Sequence, residues 1–312
     1  MQLAYGGTRV RCNSRPWLES CFCSLNMKTS PIAYHCVLRS EFPSRPFVHR
    51  RDCVQVWRLL QRYFPQTIAA VLMPNHFHLL VWPLDLDQVR FRMGMIRRDL
   101  RRLYPGIVWE TISDPKPLPD RFHLLREIRY VHLNPCRKQL CVDPIEWEWS
   151  THREYLNAVA RPWIDPPKVI QKLGRPWTGW PADELRRRMH LYISGDPSVH
   201  PMGTAAPMGL SDVGWIDISR VKLTGVLALR CTESELLRKG RLRARLVRVL
   251  ARGSGVVAPK IAAVFGVDRR SVSEIGRRPW KTEDEELLRS LRVIQSDPRF
   301  FGPGSIQRLD RF

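Results

Sequence analysis

Two short stretches of this chain hold side chains whose type and spacing could do chemistry. The first is Met73-Pro74-Asn75-His76-Phe77-His78-Leu79-Leu80-Val81. Along an extended strand successive side chains point to opposite faces. His76 and His78 therefore project to one side, and Phe77, Leu79 and Val81 to the other. Two imidazoles on one face can hold a divalent ion while the apolar alternates anchor the strand in a core. Two merely packed or surface histidines would show the same spacing. The second stretch is Arg126-Glu127-Ile128-Arg129-Tyr130-Val131-His132-Leu133-Asn134-Pro135. At about 100° per residue, Leu124, Leu125, Ile128 and Val131 share one helix face. His123, Glu127, Tyr130, Asn134 and Arg137 cluster on the opposite face, with Tyr130 and Asn134 neighbours one turn apart. Pro135 lacks an N–H and is expected to kink or end this helix. A phenol, with a reference pKa of about 10, is a poor nucleophile at neutral pH. It becomes useful where a metal and nearby arginines stabilise charge developing on a phosphate. Covalent attachment to Tyr130 would then split one difficult exchange into two easier steps. The plain structural alternative is an amphipathic tyrosine at the edge of a core.

Composition says what such a site would act on. The chain has 312 residues with 51 Lys+Arg against 30 Asp+Glu, a formal net charge of +21. That imbalance favours a polyanionic partner, because basic side chains that neutralise phosphates release condensed counterions. No apolar run reaches the roughly 18 residues of a membrane span. The N-terminus lacks the apolar stretch of a secretory signal. Eight cysteines are scattered without a CxxC pair, which argues against a structural zinc site or a disulfide framework. A cytoplasmic, nucleoid-associated protein with reduced thiols is expected.

The elements that must position the two stretches follow from periodicity. Ile32–Leu38 reads as a strand and 49–63 as a helix. Segments 67–73 and 76–82 read as strands broken by Pro74-Asn75. Leu86–Tyr104 reads as a basic helix, followed by a Pro- and Asp-rich break to Asp120 and a helix over 121–134. Strands alternating with helices predict an α+β domain over 31–157, with helices on one face of a small sheet. Residues 1–30 read as an N-terminal arm. Residues 158–231 read as a Pro- and Trp-rich linker with short helices, one near 185–193. Residues 232–295 read as a small all-α domain, and 296–312 as a tail. Within the all-α domain, APKIAAVFGVDRRSVSEIGRR (258–278) has the form of a helix-turn-helix. Gly266 occupies the turn, Asp268 caps the second helix, and Val272 and Ile275 face inward. Arg269, Arg270, Ser271, Ser273, Glu274 and Arg277 would face duplex DNA. Arg238–Arg252, with seven basic residues and no acidic one, is expected to track phosphates.

Taken together, MPNHFHLLVW and the later RYVHLNPCRKQLCVDPIEWEWSTHREYL resemble the single-tyrosine HUH transposases, the insertion-sequence and REP-associated tyrosine transposase family. The resemblance spans roughly residues 30–157. The histidine pair follows Met-Pro-Asn, and the tyrosine helix runs into Asn-Pro, an arginine and the Trp147–Ser150 segment. It implies that His76 and His78 are metal ligands, that Asn134 completes the metal shell and that Tyr130 is the nucleophile, with Arg126 and Arg137 at the DNA. It implies Mg²⁺ or Mn²⁺, a small antiparallel sheet of HUH/ferredoxin-like form, and often a homodimer. The implied reaction is cleavage of single-stranded, hairpin-forming DNA to a 5′-phosphotyrosine and a free 3′-OH, then rejoining. The C-terminal segment resembles the replication-initiator-like domain found on some members. The chain departs from the family between the two blocks, where it lacks the Gly-x-x-Phe-Gln-Arg-Phe pattern and Asp120-Arg121-Phe122 is at most a remnant of it, and at Cys136 and Lys138-Gln139. The alternative reading is an inactive or domesticated relative that binds DNA as a regulator.

Overall fold

The structure, a computed structural model, describes residues 30–174, 179–195 and 215–302. The expected arm therefore lies outside the described residues except for Ser30. The chain is α+β. Strand β1 (Ala33–Arg39) leads through helix α1 (Arg50–Tyr63) to β2 (Thr67–Met73) and β3 (His76–Val81), which are joined by the turn at Pro74-Asn75. Helix α2 (Leu86–Leu103) then returns the chain to β4 (Lys116–Leu118). All pairings are antiparallel and the strand order is β2-β3-β1-β4. All of these elements except β4 fall within a residue or two of their sequence expectation, because each carries a local period of its own; β4 lies in the stretch expected to be a break.

The expected one-sided covering of the sheet is not what is found. Every residue of β2 and β3 is buried, so side chains on both faces are covered. Helix α3 (Arg121–Arg137) packs on β2 and β3, with Tyr130 against the face to which His78 points. The other face carries Phe77, Leu79 and Val81 into the main core, together with Val56, Trp57, Met93 and Ile96 from the mutually packed α1 and α2. The sequence showed apolar alternates on one side of β3. It did not show that a second helical layer would cover the histidine side.

Helix α3 starts at Asp120, whose carboxylate accepts from the backbone N–H of Phe122 and His123 at 2.9 Å each. Of the two outcomes expected at Pro135, ending the helix does not occur, and the helix continues to Arg137. A proline leaves the carbonyl four residues back without its usual donor. Here the Asn134 amide donates to Tyr130 O at 2.9 Å and lies 3.5 Å from the orphaned Val131 O. The chain turns away only at Gln139, where φ is 56°. The Trp147–Ser150 segment extends the sheet edge beyond β2. Leu72 donates its N–H to Trp149 O at 2.8 Å, and the Trp147 indole donates to Leu72 O at 3.0 Å.

Much of the expected linker is structured. After the short α4 (His152–Tyr155) come α5 (Pro166–Leu173) and α6 (Ala182–Ser194), which pack on α3 and bury Val169, Ile170, Met189 and Ile193 in the sheet domain's core. Helix α7 (Val221–Leu229) belongs to a second core with α8 (Glu233–Leu237), α9 (Arg241–Gly253), α10 (Ala258–Phe265), α11 (Arg269–Arg277) and α12 (Thr282–Ser296). The first part of the expected tail is also built in, since Phe300 is fully buried in this core. Residues 303–312 lie outside the described residues. The two cores meet through charge. Arg50 forks onto Glu148 at 2.5 and 2.6 Å and donates to Cys231 O and Val226 O. Arg230 reaches the buried Glu154 at 2.5 Å. No helix among the described residues is long and apolar enough to cross a membrane. The described cysteines, Cys36, Cys53, Cys136, Cys141 and Cys231, are all buried and free.

Candidate active site

Strand register assembles the site. His78 pairs across with Val37 of β1 and with Val71 of β2, and His76 pairs with Arg39 and Met73. Directly opposed residues share a face, and residues two apart on a strand share it too. His35 and Arg39 of β1 therefore lie on the same face as His76 and His78. The imidazoles of His76 and His78 stand 5.0 Å apart, centroid to centroid. Tyr130 meets them from α3, its ring 5.8 Å from His78 at 88° and 6.1 Å from His35. The Tyr130 side is open: the residue is 37% exposed and lines a cavity of about 540 Å³ with His35, Lys116, Arg126, Glu127, Arg129, Arg137 and Tyr192. The Arg137 guanidinium lies over the Tyr130 ring at 5.4 Å.

Both histidines are held neutral. Burial is the largest cause, pushing His76 down to about 3 and His78 to about 2. The positive charges of Arg39 and Lys138 add to it at His76, and that of Arg39 adds to it at His78. Loss of solvation penalises a charged form, and a neutral imidazole is the form that binds metal. His76 Nδ1 lies 2.7 Å from Asn75 Oδ1, and His78 Nδ1 lies 2.9 Å from His35 Nε2. His78 Nε2 is buried and has no hydrogen-bond partner. An orphaned buried ring nitrogen beside a second neutral imidazole is what Mg²⁺ or Mn²⁺ ligation would leave, so the residues fit a metal. Hard cations of this kind prefer oxygen for the rest of their shell. Among the described residues no three His, Cys, Asp or Glu side chains group closely enough to hold an ion alone. The remaining ligands would therefore be neutral oxygens, phosphate or water. Asn134 is less available than its place on the helix suggests. It is buried, and its Nδ2 is committed to the carbonyls of its own helix, leaving Oδ1 as its ligating atom.

Sequence reasoning missed His35, Arg39 and Lys116, and it assigned Glu127 no role. His35 Nδ1 lies 2.6 Å from Glu127 Oε1, and Lys116 Nζ lies 3.6 Å from Oε2. The His35 hydrogen bond is the largest cause holding the Glu127 carboxyl below the usual carboxylate range. Burial opposes it, and the Lys116 charge assists it. No pattern within the β1 segment marks His35, since only the pairing with β3 brings it to His78.

The C-terminal candidates occupy a separate surface. Gly266 sits between α10 and α11 with φ 60°, a left-handed conformation natural to glycine. Asp268 caps α11 by accepting from Ser271 N–H. Arg269, Arg270, Ser273, Glu274 and Arg277 are exposed, and Val272 is buried. Ser271 is not a free reader. Its hydroxyl donates to Asp268 at 2.6 Å, so it completes the cap. The Ser273 hydroxyl donates back to Arg269 O, and Arg270 pairs with Glu274 at 3.0 Å. The basic run on α9 is not one phosphate-facing stripe either. Arg245 and Arg248 turn inward to the buried Asp284, 3.6 and 2.7 Å away.

No protein-family model, no curated protein and no solved structure matches this chain.

Proposed function

We propose that this chain cleaves and rejoins single-stranded DNA through a covalent bond to Tyr130, as its resemblance to the single-tyrosine HUH transposases implies. The observation that carries the reading is the Tyr130 ring beside His78 on an open, basic cavity. The β-α-β-β-α-β order with strands arranged β2-β3-β1-β4 is the ferredoxin-like arrangement, and it supports the HUH reading of the sheet. The capped α10–α11 pair supports the reading of the C-terminal unit as a helix-turn-helix that grips duplex DNA.

In this reading His76 and His78 would hold Mg²⁺ or Mn²⁺, with Asn134 Oδ1 as a further donor. A metal held there would supply polarisation of the scissile phosphate. Tyr130 gives up its phenolic proton, and its oxygen forms a bond to phosphorus while the bond from phosphorus to the 3′ oxygen breaks. The 3′ oxygen leaves with a proton as a free hydroxyl, and the 5′ side remains as a phosphotyrosine ester. The phosphodiester is exchanged rather than hydrolysed, so a 3′-OH attacking the same phosphorus reverses the step and rejoins the strand. Arg126, Arg137 and Lys116 stabilise the phosphoryl oxygens as negative charge builds on them. Phenol and imidazoles belong to one chain, so the reading needs no second copy.

The test is incubation with end-labelled single-stranded hairpins and Mn²⁺, followed by a denaturing gel. The reading expects nicked product together with a protein-linked band. Both should be lost with EDTA and in Tyr130→Phe. Cleavage surviving in Tyr130→Phe without a linked band would point to a water-using nuclease. Duplex binding with no cleavage would leave a DNA-binding regulator.

A further inference from the structure

A chain of two hydrogen bonds runs from His78 to the wall of the cavity, which His35 and Glu127 help to line. His35 Nε2 lies 2.9 Å from His78 Nδ1, and Glu127 Oε1 lies 2.6 Å from His35 Nδ1. We propose that His35 and Glu127 are positioning residues that fix His78 as its Nδ1–H tautomer and so direct its Nε2 lone pair at the ion. The proposal rests on the metal-site reading above and assigns two residues that reading does not use.

Counting protons gives two arrangements. An ionised carboxylate only accepts, so His35 Nδ1 carries a proton in both. In the first arrangement His35 is neutral. Its Nε2 then accepts from His78 Nδ1–H, and His78 Nε2 is left as a bare lone pair. In the second, His35 is a cation and donates through Nε2 to His78 Nδ1. The proton of a neutral His78 must then sit on Nε2, which is buried and has no acceptor. A buried donor with nothing to receive it is unfavourable, and in that state the nitrogen cannot ligate. Only the first arrangement turns the orphaned atom into a ligand.

The neighbouring histidine repeats the pattern by a shorter route. Asn75 Oδ1 lies 2.7 Å from His76 Nδ1, which places that proton on Nδ1 and leaves Nε2 bare. Both imidazoles are thus oriented by an acceptor at Nδ1, one through its neighbour Asn75 and one through a histidine and a carboxylate on other elements. Partners of this kind fix the tautomer and ring orientation of metal-bound histidines, and their loss costs about 10–100-fold in metal affinity. Lys116 Nζ, 3.6 Å from the other Glu127 oxygen, holds the far end of the chain in place.

The experiment uses the full chain in two readouts. Nitrogen-15 NMR of histidine-labelled, metal-free protein should show His78 protonated on Nδ1. Mn²⁺ affinity, followed by electron paramagnetic resonance, should fall about 10–100-fold in His35→Phe. It should largely return in His35→Gln, whose carboxamide oxygen can accept from His78 Nδ1–H. Circular dichroism identifies a His35→Phe protein that fails to fold, in which case wild type and His35→Gln decide the matter by NMR. A wild-type His78 protonated on Nε2, or unchanged Mn²⁺ affinity in a folded His35→Phe, would overturn the proposal. Wild-type protein with the Nδ1–H tautomer but no Mn²⁺ binding would overturn the metal-site reading and leave the tautomer assignment standing.

Discussion

Tyr130 stands edge-on to His78, their ring centroids 5.8 Å apart and their planes at 88°. Fifty-odd residues of chain separate them, and the contact exists because α3 crosses the histidine face of the sheet. The strand therefore has to be held rigidly from its other face. Phe77, between the two histidines, is fully buried there. Phe77→Ala should destabilise the protein by about 3–5 kcal/mol, the cost of emptying a large core site. Urea denaturation measures it, and a loss under about 1 kcal/mol would mean that the strand is not anchored through this residue.

Acid should destabilise the fold through histidines buried in neutral form. His132, fully buried with its Nε2 on Thr151 Oγ at 2.9 Å, is pushed by burial down to about 3. Its unfolded value is about 6.5. Between those limits the unfolded chain takes up a proton that the folded chain refuses. Stability is therefore intact above about pH 6.5 and falls as the pH drops toward 3. From pH 7 to pH 5 this one residue should cost about 2 kcal/mol. In His132→Leu, denaturation across that range should show one proton fewer taken up on unfolding. An unchanged slope would contradict the assignment.

The bond between the two cores should be sensitive to loss of one partner. Arg50→Ala leaves Glu148, which is 1% exposed, buried without its counter-charge, at an expected cost of about 3–5 kcal/mol. Replacing both partners, as in Arg50→Met with Glu148→Leu, should recover most of that loss. Chemical denaturation of the two variants makes the comparison, and equal losses would show that the charge pair is not what joins the units.

On α11 the exposed Arg269 and Arg277 make no ion pair among the described residues, unlike Arg270 with its Glu274. Arg269→Ala and Arg277→Ala should each weaken duplex binding, and each lost phosphate contact should reduce the salt slope by about one. Nicking of short single strands should be unaffected. Fluorescence anisotropy across a salt series reads this out, and unchanged slopes would remove α11 from the DNA interface.

What could be read from the sequence was local. The alternation along β3 and the two-sided character of α3 are periodic over a few residues, so His76, His78 and Tyr130 stood out. His35 is 43 residues from His78 in the chain, and only long-range strand register makes them neighbours. The inward turn of Arg245 and Arg248 was hidden for the same reason, because Asp284 lies on a helix well downstream. The segment after residue 157 looked like a linker because of its prolines. Pro166, however, starts α5 directly behind the Asp165 cap, a place where a missing N–H costs nothing.

The central claim is that Tyr130 becomes bonded to DNA. The most direct measurement is mass spectrometry of protease- and nuclease-digested protein after reaction with a single-stranded hairpin and Mn²⁺. The account predicts a nucleotide remnant on the peptide containing Tyr130, attached through a 5′ phosphate. Cleaved DNA with no modified peptide, or a remnant on another tyrosine, would contradict it.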